Sequence, residues 1–219
     1  MNCPFCKADP VPAKEIICRK CREEIFYYKG FRCRYCGNRL LYDSGSCPEC
    51  FGKKKSYNAF YNLGYYDRML GDIIIRMKFR ENISLGKALG ALAAEHLEKL
   101  GVEYDVILPV PLSPGRFHER GFDQTLEIAK AMKKRTGRKV MDFVIGKTDI
   151  PPLVGKNRAE RADIMRKAFF AKRGLEKVEG LNVLALDDVC TTGATMNAFT
   201  KLIRRYGPLR ITAYVIARK

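Results

Sequence analysis

The sequence predicts an α/β fold with a largely parallel sheet and helices on both of its faces, preceded by a small cysteine-rich, zinc-binding module. Two observations support this prediction. Beyond residue 56, apolar segments of strand length alternate with amphipathic segments of helix length, which is typical of parallel sheets. Before residue 53, eight cysteines form four regularly spaced CxxC pairs. We therefore divide the 219 residues into a double zinc ribbon at 1–52 and an α/β domain at 53–219.

The four CxxC pairs indicate two structural metal sites. Each CxxC turn directs two thiolates at one tetrahedral ion, and two turns complete a closed four-sulfur shell. We predict two zinc ions and favour sequential ribbons over interleaved ones, with iron as the rival metal. Because fifty residues bury little apolar surface, metal binding should supply much of this module's folding energy, and chelation should unfold only this module. The predicted ligands are Cys3, Cys6, Cys18 and Cys21, and Cys33, Cys36, Cys47 and Cys50.

The α/β domain is predicted to begin with a strand and two helices. The segment "YNAFYNLGYY" favours a strand and a turn, and a helix is expected from about Asp67. The segment "SLGKALGALAAEHLEKLG" predicts a second helix with Ser84 as its N-cap and Gly101 as its stop. His96 lies within this helix, and we expect a structural or surface role for it.

The remaining chain alternates between the two kinds of segment. The predicted strands are "YDVILPVP", "VMDFVIGK", "KAFFA", "LNVLALDD" and "RITAYVIA", and the predicted helices are "ERGFDQTLEIAKAMKKR" and "GATMNAFTKLIRRYG". A basic loop precedes "KAFFA". In sheets of this kind, ligands bind beyond the carboxyl ends of the strands.

The segment "VLALDDVCTTGATMNA" combines two binding features at one such strand end. Asp187 and Asp188 close an apolar strand, and a turn rich in hydroxyl groups then opens a helix near Gly193. Turn and helix N-terminal amides bind anions, and the glycine permits close approach of the backbone. The carboxylates suit the vicinal hydroxyls of a sugar. A 5-phosphorylated ribose satisfies both features.

These residues resemble a known motif. "VLALDDVCTTGAT" looks like the phosphoribosyl pyrophosphate (PRPP) motif of type I phosphoribosyltransferases. Together with "ILPVPLSPGRFHERGFDQ", "RMKFR", the CxxC pairs and "ITAYVIARK", nearly the whole chain resembles the ComF family, competence proteins linked to uptake of single-stranded DNA during natural transformation. In "RGFDQ", Asp123 stands where that family commonly has Asn.

The resemblance implies a type I phosphoribosyltransferase-like fold and a role for each motif. In that fold the acidic pair contacts the ribose hydroxyls, the turn binds the 5-phosphate, and a loop after an early strand binds pyrophosphate with magnesium. The implied PRPP-binding residues are Asp187, Asp188, Val189, Cys190, Thr191, Thr192, Gly193, Ala194 and Thr195. The implied pyrophosphate-binding residues are Val110, Pro111, Leu112, Ser113, Arg116 and Arg120.

Three further features bear on this site. Prolines in residues 110–120 remove amide donors and stiffen the backbone, so pyrophosphate depends on the remaining amides and on Arg116 and Arg120. A rigid loop with solvated arginines is the alternative. His118 is expected to face solvent, and Cys190 to pack as a small hydrophobe. By resemblance, Arg158 and Arg161 are the paired arginines of a mobile basic loop that closes over PRPP, and a solvated charged face is the alternative.

The charge balance favours a polyanionic partner. The chain has 41 Lys and Arg against 24 Asp and Glu, a net charge of +17, which falls to roughly +13 if eight thiolates hold two zinc ions. Lys53, Lys54 and Lys55, with aromatic residues nearby, are candidates for gripping single-stranded DNA. For these aromatics, which are Tyr57, Phe60, Tyr61 and Tyr65, a place in the core of a strand is favoured over stacking.

The sequence therefore predicts a PRPP-binding, zinc-stabilised accessory protein of natural transformation that handles single-stranded DNA with partner proteins of DNA uptake. The alternative is an active magnesium-dependent phosphoribosyltransferase with a base or amine acceptor, although its catalytic residues are not identifiable. The N-terminus does not read as a signal peptide, and no apolar run reaches 18 residues. We expect a cytoplasmic protein without a membrane span, whose cysteines stay reduced.

Overall fold

A central parallel sheet organises the computed structural model, which describes residues 2–13, 15–79, 83–150, 164 and 167–219. The described strands are β1 (Ala59–Tyr65), β2 (Val106–Pro109), β3 (Lys139–Val140), β4 (Ile145–Lys147), β5 (Phe169–Ala171), β6 (Asn182–Cys190) and β7 (Arg210–Arg218). Five of them form one sheet in the order β1-β7-β6-β2-β3, with every neighbouring pair parallel. The strands β4 and β5 pair with each other in antiparallel orientation.

Six α-helices are described, together with a short 3-10 helix at Leu175–Val178. The α-helices are α1 (Arg19–Ile25), α2 (Arg68–Phe79), α3 (Ile83–Lys99), α4 (Pro114–Arg120), α5 (Gln124–Thr136) and α6 (Ala194–Arg204). In the described residues, no helix combines the length and the apolar character that crossing a membrane requires.

The sheet buries a separate apolar layer on each face. Leu184 and Leu186 of β6 join one cluster with residues of α2, α3 and α5, whereas Val183 and Ala185 join another with residues of α6. This alternation is the period of two that a strand covered on both faces requires. The predicted α/β architecture is confirmed.

The region after β2 differs from the prediction. We expected a loop up to about residue 118 and then one helix, but the structure has two helices, α4 and α5. Pro114 occupies the first turn of α4, where a missing amide costs nothing. Gly121 ends α4 with a φ of 70°, and the side chain of Asp123 caps α5 by accepting from the Leu126 amide. The sequence therefore contains a second set of start and stop signals.

Two smaller predictions also need correction. The predicted strand "VMDFVIGK" is split, because Phe143 has a φ of 65° and separates β3 from β4. The segment after Phe143 thus leaves the parallel sheet and pairs with β5. Ser84 lies inside α3, which is described from Ile83, and is therefore not its N-cap. Gly101 follows the end of this helix with a φ of 62°, as expected of a stop signal.

Candidate functional site

The acidic pair lies at the carboxyl end of the sheet's interior. Asp187 and Asp188 belong to β6, which runs between β2 and β7, and only 9% and 6% of their surfaces are exposed. The Lys78 ammonium of α2 lies 2.7 Å from Asp188 Oδ2. Gln124, at the start of α5, donates its amide to the same oxygen at 3.0 Å. Three separate segments therefore meet at Asp188.

The two carboxylates have different electrostatic environments. Burial opposes ionisation of Asp188, but the charge of Lys78 and the bonds from Lys78 and Gln124 outweigh it and lower the pKa of Asp188. Burial and the adjacent charge of Asp188 raise the pKa of Asp187, although the Lys147 ammonium acts in the opposite direction. Asp188 is thus held as an anion, whereas ionised Asp187 would gain from a ligand that brings a donor or a cation.

An acceptor atom beside the pair lacks a partner. Among the described residues, the Gln124 side-chain oxygen is buried and makes no hydrogen bond. A buried acceptor without a donor costs about 1–3 kcal/mol, so such atoms often face a ligand or a water site. A sugar hydroxyl or a metal-bound water would satisfy this oxygen. The donor and acceptor groups present therefore fit a hydrated magnesium–phosphosugar complex.

The turn after β6 has the geometry expected of an anion site. Thr191 and Thr192 are exposed, and Gly193 precedes α6 with a φ of 78°, a conformation that favours glycine. The Ala194 amide donates to Thr192 Oγ1 at 3.3 Å, and the N-cap residue of α6 is Gly193, which has no side chain to cap the helix. The first-turn amides of a helix lack intrahelical acceptors. The first amides of α6 are therefore free of intrahelical partners, and only the short turn at 191–193 separates them from the strand that carries the acidic pair.

Val189 and Cys190 lie within β6 rather than in the turn. The Cys190 side chain is buried, which confirms its predicted packing, and burial raises the pKa of this thiol to about 12. Its carbonyl oxygen accepts from the Arg218 guanidinium at 3.2 Å and from the Lys219 amide at 2.9 Å. The strand end that leads into the turn is thus tied to the end of β7.

The predicted pyrophosphate segment follows β2 at the same edge of the sheet. Val110 donates its amide to Leu186 of β6 at 2.8 Å, and the Leu112 amide donates to Asp123 Oδ2 at 3.2 Å. The Gly115 amide lies 3.1 Å from both oxygens of Asp149. Several amides of this segment are therefore engaged by the protein's own oxygen atoms.

The side chains of this segment are placed unequally. Arg116 and His118 are exposed, which confirms the solvent-facing position expected for His118, and Arg120 is partly buried. Pro111 and Leu112 are also partly buried, whereas Ser113 is buried and precedes α4 without capping it through its side chain. The two arginines predicted for the flexible basic loop, Arg158 and Arg161, lie outside the described residues.

Lys147 connects the acidic pair with this segment. Burial lowers the pKa of Lys147, the charges of Asp187, Asp188 and Asp123 raise it, and Arg116 lowers it further. Its ammonium also lies 5.3 Å from the ring centre of Phe169. Sequence reasoning missed Lys147 as a site residue, because it belongs to a strand segment without a distinctive motif.

Lys78 and Gln124 were also missed as site residues. Both occur in segments that resemble the ComF family, "RMKFR" and "RGFDQ", so the resemblance contained a signal. Spacing alone could not show that these segments meet at Asp188.

The cysteines form two tetrads, each of which can hold one ion. Within each tetrad the ligand atoms all lie within 4.8 Å of one another, as a tetrahedral thiolate site requires. The pairing is sequential, as favoured from the sequence. The first tetrad contains Cys3, Cys6, Cys18 and Cys21, and the second contains Cys33, Cys36, Cys47 and Cys50. These tetrads support two structural zinc ions.

The ribbon of the first tetrad shares the core of the α/β domain. Its Phe5, Ile17 and Ile25 belong to the same buried cluster as α2 and α3. Arg22 of α1 also forms an ion pair with Glu95 of α3 at 2.8 Å. This ribbon is therefore packed into the larger domain.

Backbone carbonyls of the second ribbon accept hydrogen bonds from the α/β domain. The Tyr57 and Tyr65 hydroxyls donate to the carbonyls of Tyr35 and Gly37 at 2.6 and 2.9 Å. Arg218 donates Nε to the Cys36 carbonyl at 2.8 Å and Nη1 to the Cys190 carbonyl. One buried guanidinium thus joins a zinc knuckle to the strand end of the candidate site.

This arrangement confirms a core position for most of the aromatic residues considered for DNA stacking. Tyr57, Phe60 and Tyr65 are only 5–6% exposed and belong to the strand core or its margin, so they cannot stack with bases. Only Tyr61 of that group is partly exposed.

Comparison with protein families defines the class. Residues 1–51 match the double zinc ribbon domain, and residues 119–219 match the phosphoribosyl transferase domain. The chain thus combines a zinc-ribbon module with a domain of the type I phosphoribosyltransferase fold.

The relatives narrow this class further. The chain is 25% identical to "Competence protein F" of Haemophilus influenzae, over 99% of this chain and 96% of the relative. It is 29% identical to "Competence protein ComFC" of Streptococcus pneumoniae, over 80% of this chain and 76% of the relative. It is 24% identical to "DNA utilization protein YhgH" of Escherichia coli K12, over 85% and 83% of the two chains. The predicted resemblance to the ComF family is confirmed.

Proposed function

We propose that this chain is a PRPP-binding, zinc-stabilised accessory protein that handles single-stranded DNA in natural transformation. The observation that carries the PRPP assignment is the acidic pair Asp187–Asp188, buried at a strand end and followed directly by the amide-rich start of α6. The DNA assignment is supported by the net charge of +17 and by relatives named for competence and DNA utilization.

In the proposed complex, the pair accepts hydrogen bonds from the ribose hydroxyls, and the amides of residues 191–195 bind the 5-phosphate. Lys78 and Gln124 keep Asp188 ionised and oriented. Residues 110–120 and Lys147 face the pyrophosphate. Magnesium, which binds phosphates together with one or two carboxylates, would neutralise the pyrophosphate, and Asp187 and Asp188 offer it oxygen ligands.

Isothermal titration of PRPP in magnesium buffer tests this proposal. We expect Asp187→Asn and Asp188→Asn each to weaken PRPP binding by about tenfold or more, since each loses a charge-assisted hydrogen bond. The control is Asp72→Asn on the exposed side of α2, which should bind like the wild type. Wild-type affinity in both site variants would refute the assignment.

One observation favours the transferase alternative. A cavity of about 560 Å³ adjoins the site and is lined by apolar residues of the pyrophosphate segment and of β4, together with Lys147. This volume suits a small-molecule acceptor. Pyrophosphate release from PRPP across a panel of bases and amines tests the alternative. Release that requires one acceptor would establish an enzyme, and PRPP binding without release would favour the accessory role.

A cytoplasmic location is also part of the proposal. Two closed tetrads of reduced thiolates are suited to a reducing compartment. Partner proteins of DNA uptake are expected in the same compartment.

A further inference from the structure

We propose that single-stranded DNA binds in a groove between the two zinc ribbons and α3. This inference rests on the proposed DNA role and gives it a location different from the lysines at 53–55. The groove has a volume of about 800 Å³, within the range of ligand-binding pockets. We call it the ribbon groove and define it by Phe26, Tyr28, Lys29, Arg34, Tyr61 and Lys99.

The walls of the ribbon groove are positively charged. Five basic side chains line it against two acidic ones, Glu23 and Glu95. Glu95 is neutralised within the protein, because Arg22 lies 2.8 Å and Lys99 2.6 Å from its carboxylate. Lys29 and Arg34 are exposed, and 65% of the Lys99 side chain is accessible. The groove therefore offers exposed cations to a phosphate backbone, although Lys99 also contacts Glu95.

Aromatic rings line the same groove as these cations. Phe26, Tyr28 and Tyr61 line the groove and are partly exposed, so they are neither solvated nor fully buried. The Phe26 ring centre lies 5.4 Å from that of His96, and the Arg32 guanidinium lies 5.6 Å from the Tyr28 ring centre. These contacts limit ring motion before a ligand arrives.

This combination points to an unpaired strand. Proteins bind single-stranded nucleic acid with a basic groove that follows the backbone and with aromatic faces on which bases stack. In a duplex the base faces are covered by stacked neighbours. The aromatic rings of the groove therefore have no free base face to contact in a duplex. An acidic peptide would use the cations but not the rings.

Fluorescence anisotropy with a labelled oligo-dT strand tests the location. The triple variant Lys29→Ala/Arg34→Ala/Lys99→Ala should bind about tenfold or more weakly, and three lost contacts should reduce the slope of log K against log salt by about 2. The matched control is Lys133→Ala/Lys134→Ala/Arg135→Ala in the exposed last turn of α5, which removes the same charge outside the groove and should retain most of the affinity. Zinc content and melting temperature verify that both variants are folded.

A second pair of variants tests the stacking role. Phe26→Leu and Tyr61→Leu keep apolar volume but remove the ring, so each should weaken binding severalfold while the salt slope stays unchanged. Duplex DNA of the same length should bind more weakly than the single strand.

The outcomes separate this inference from the proposed function. If the α5 control loses as much affinity as the groove variant, DNA is bound by general charge and the location is wrong. If wild-type protein binds PRPP but no oligonucleotide, the inference fails while the phosphosugar site stands. If groove variants lose DNA but keep PRPP affinity, the groove is a separate binding site, as proposed.

Discussion

Asp188 depends on a single buried cation from a distant segment. Its carboxylate contacts the Lys78 ammonium at 2.7 Å, and only 16% of the Lys78 side chain is exposed. Removing one member of a buried pair leaves an uncompensated charge, which costs more than the pair itself contributes. Lys78 is therefore a positioning residue for the acidic pair.

We expect Lys78→Met to lower the free energy of unfolding by about 3 kcal/mol at pH 7. The pKa of Asp188 is lowered in the wild type and should rise in the variant, because Lys78 no longer favours its ionised form. The stability difference between the two proteins should thus narrow as the pH falls towards 4. Denaturant unfolding across this range measures it, with exposed Lys87→Met of α3 as the control. Equal stability of all three proteins would contradict the role of Lys78.

The partly buried His96 should make the stability of the protein depend on pH. Burial, with smaller effects of Arg32 and Lys99, lowers the pKa of His96 to about 4, and the imidazole lies 3.0 Å from the Tyr214 hydroxyl. The unfolded chain binds a proton below about pH 6.5 that the folded chain excludes. The stabilisation that the neutral His96 imidazole gives to the folded state is therefore complete above pH 6.5 and is lost as the pH falls towards 4.

Replacing His96 by Gln removes the titration. Between pH 7 and 5, we expect wild-type unfolding free energy to fall more steeply than that of His96→Gln. The comparison cancels the pH dependence of zinc binding, which both proteins share. Identical slopes would show that His96 is accessible to protons in the folded state.

Site residues were predictable from the sequence where they are adjacent in the chain. Asp187, Asp188 and the following turn occupy one stretch, so their chemistry is apparent from the order of the residues. Lys78, Gln124 and Lys147 come from three other segments, and only folding brings their charges and amides together. Burial of Tyr57, Phe60 and Tyr65 was favoured from the sequence but not fixed by it, because an aromatic residue in a strand suits both a core and a stacking surface.

At the scale of elements, the turn before α6 depends on the backbone of Gly193. Its φ of 78° is costly for other residues, but an added Cβ would meet only Cys190 Sγ, at 3.8 Å. Gly193→Ala should lose about 1 kcal/mol of stability through backbone strain. It should also weaken PRPP binding, because relief of strain displaces the amides that contact phosphate.

A matched substitution separates these effects. Gly180 has a φ of 69° with nothing within 4 Å of an added Cβ, so Gly180→Ala carries similar strain away from the site. Calorimetry should show a similar loss of melting temperature in both variants, and titration should show reduced PRPP affinity in Gly193→Ala alone. Equal PRPP affinity in the two variants would remove the turn from the binding site.

Helices and strands were predicted well where the apolar pattern extends over many residues. The strands β1, β6 and β7 and the helices α3, α5 and α6 follow apolar patterns of several turns or strand repeats, although the start of α5 was misplaced. Predictions failed at short elements. The helix α4 has seven residues and lacks buried side chains, so no apolar face marks it. The chain leaves the parallel sheet for the β4–β5 pair at Phe143, which has a positive φ. A positive φ is hard to predict from the sequence when the residue is not a glycine.

For the whole molecule, the first ribbon and the α/β domain share one buried cluster. Chelation was expected to unfold only the first fifty residues, but the shared cluster argues that losing the first zinc also exposes α2 and α3. The second tetrad forms a separate cluster that attaches mainly by hydrogen bonds. The two metal sites should therefore contribute differently to stability.

We expect Cys21→Ser to lower the melting temperature of the entire chain more than Cys47→Ser does. In the first variant, zinc loss should propagate through Phe5, Ile17 and Ile25 into the common core. Scanning calorimetry with zinc analysis of each variant measures the effect. Equal shifts, or a main transition unchanged by Cys21→Ser, would show that the ribbon folds independently of the α/β domain.

The central claim is that a phosphosugar binds where β6 meets α6, and a crystal structure with PRPP and magnesium tests it most directly. We predict that the 5-phosphate lies against the amides of residues 191–195 and that the ribose hydroxyls contact Asp187 and Asp188. Lys78 and Gln124 should still contact Asp188 in that complex. A PRPP molecule bound elsewhere, or a saturated crystal with no ligand at this strand end, would contradict the claim.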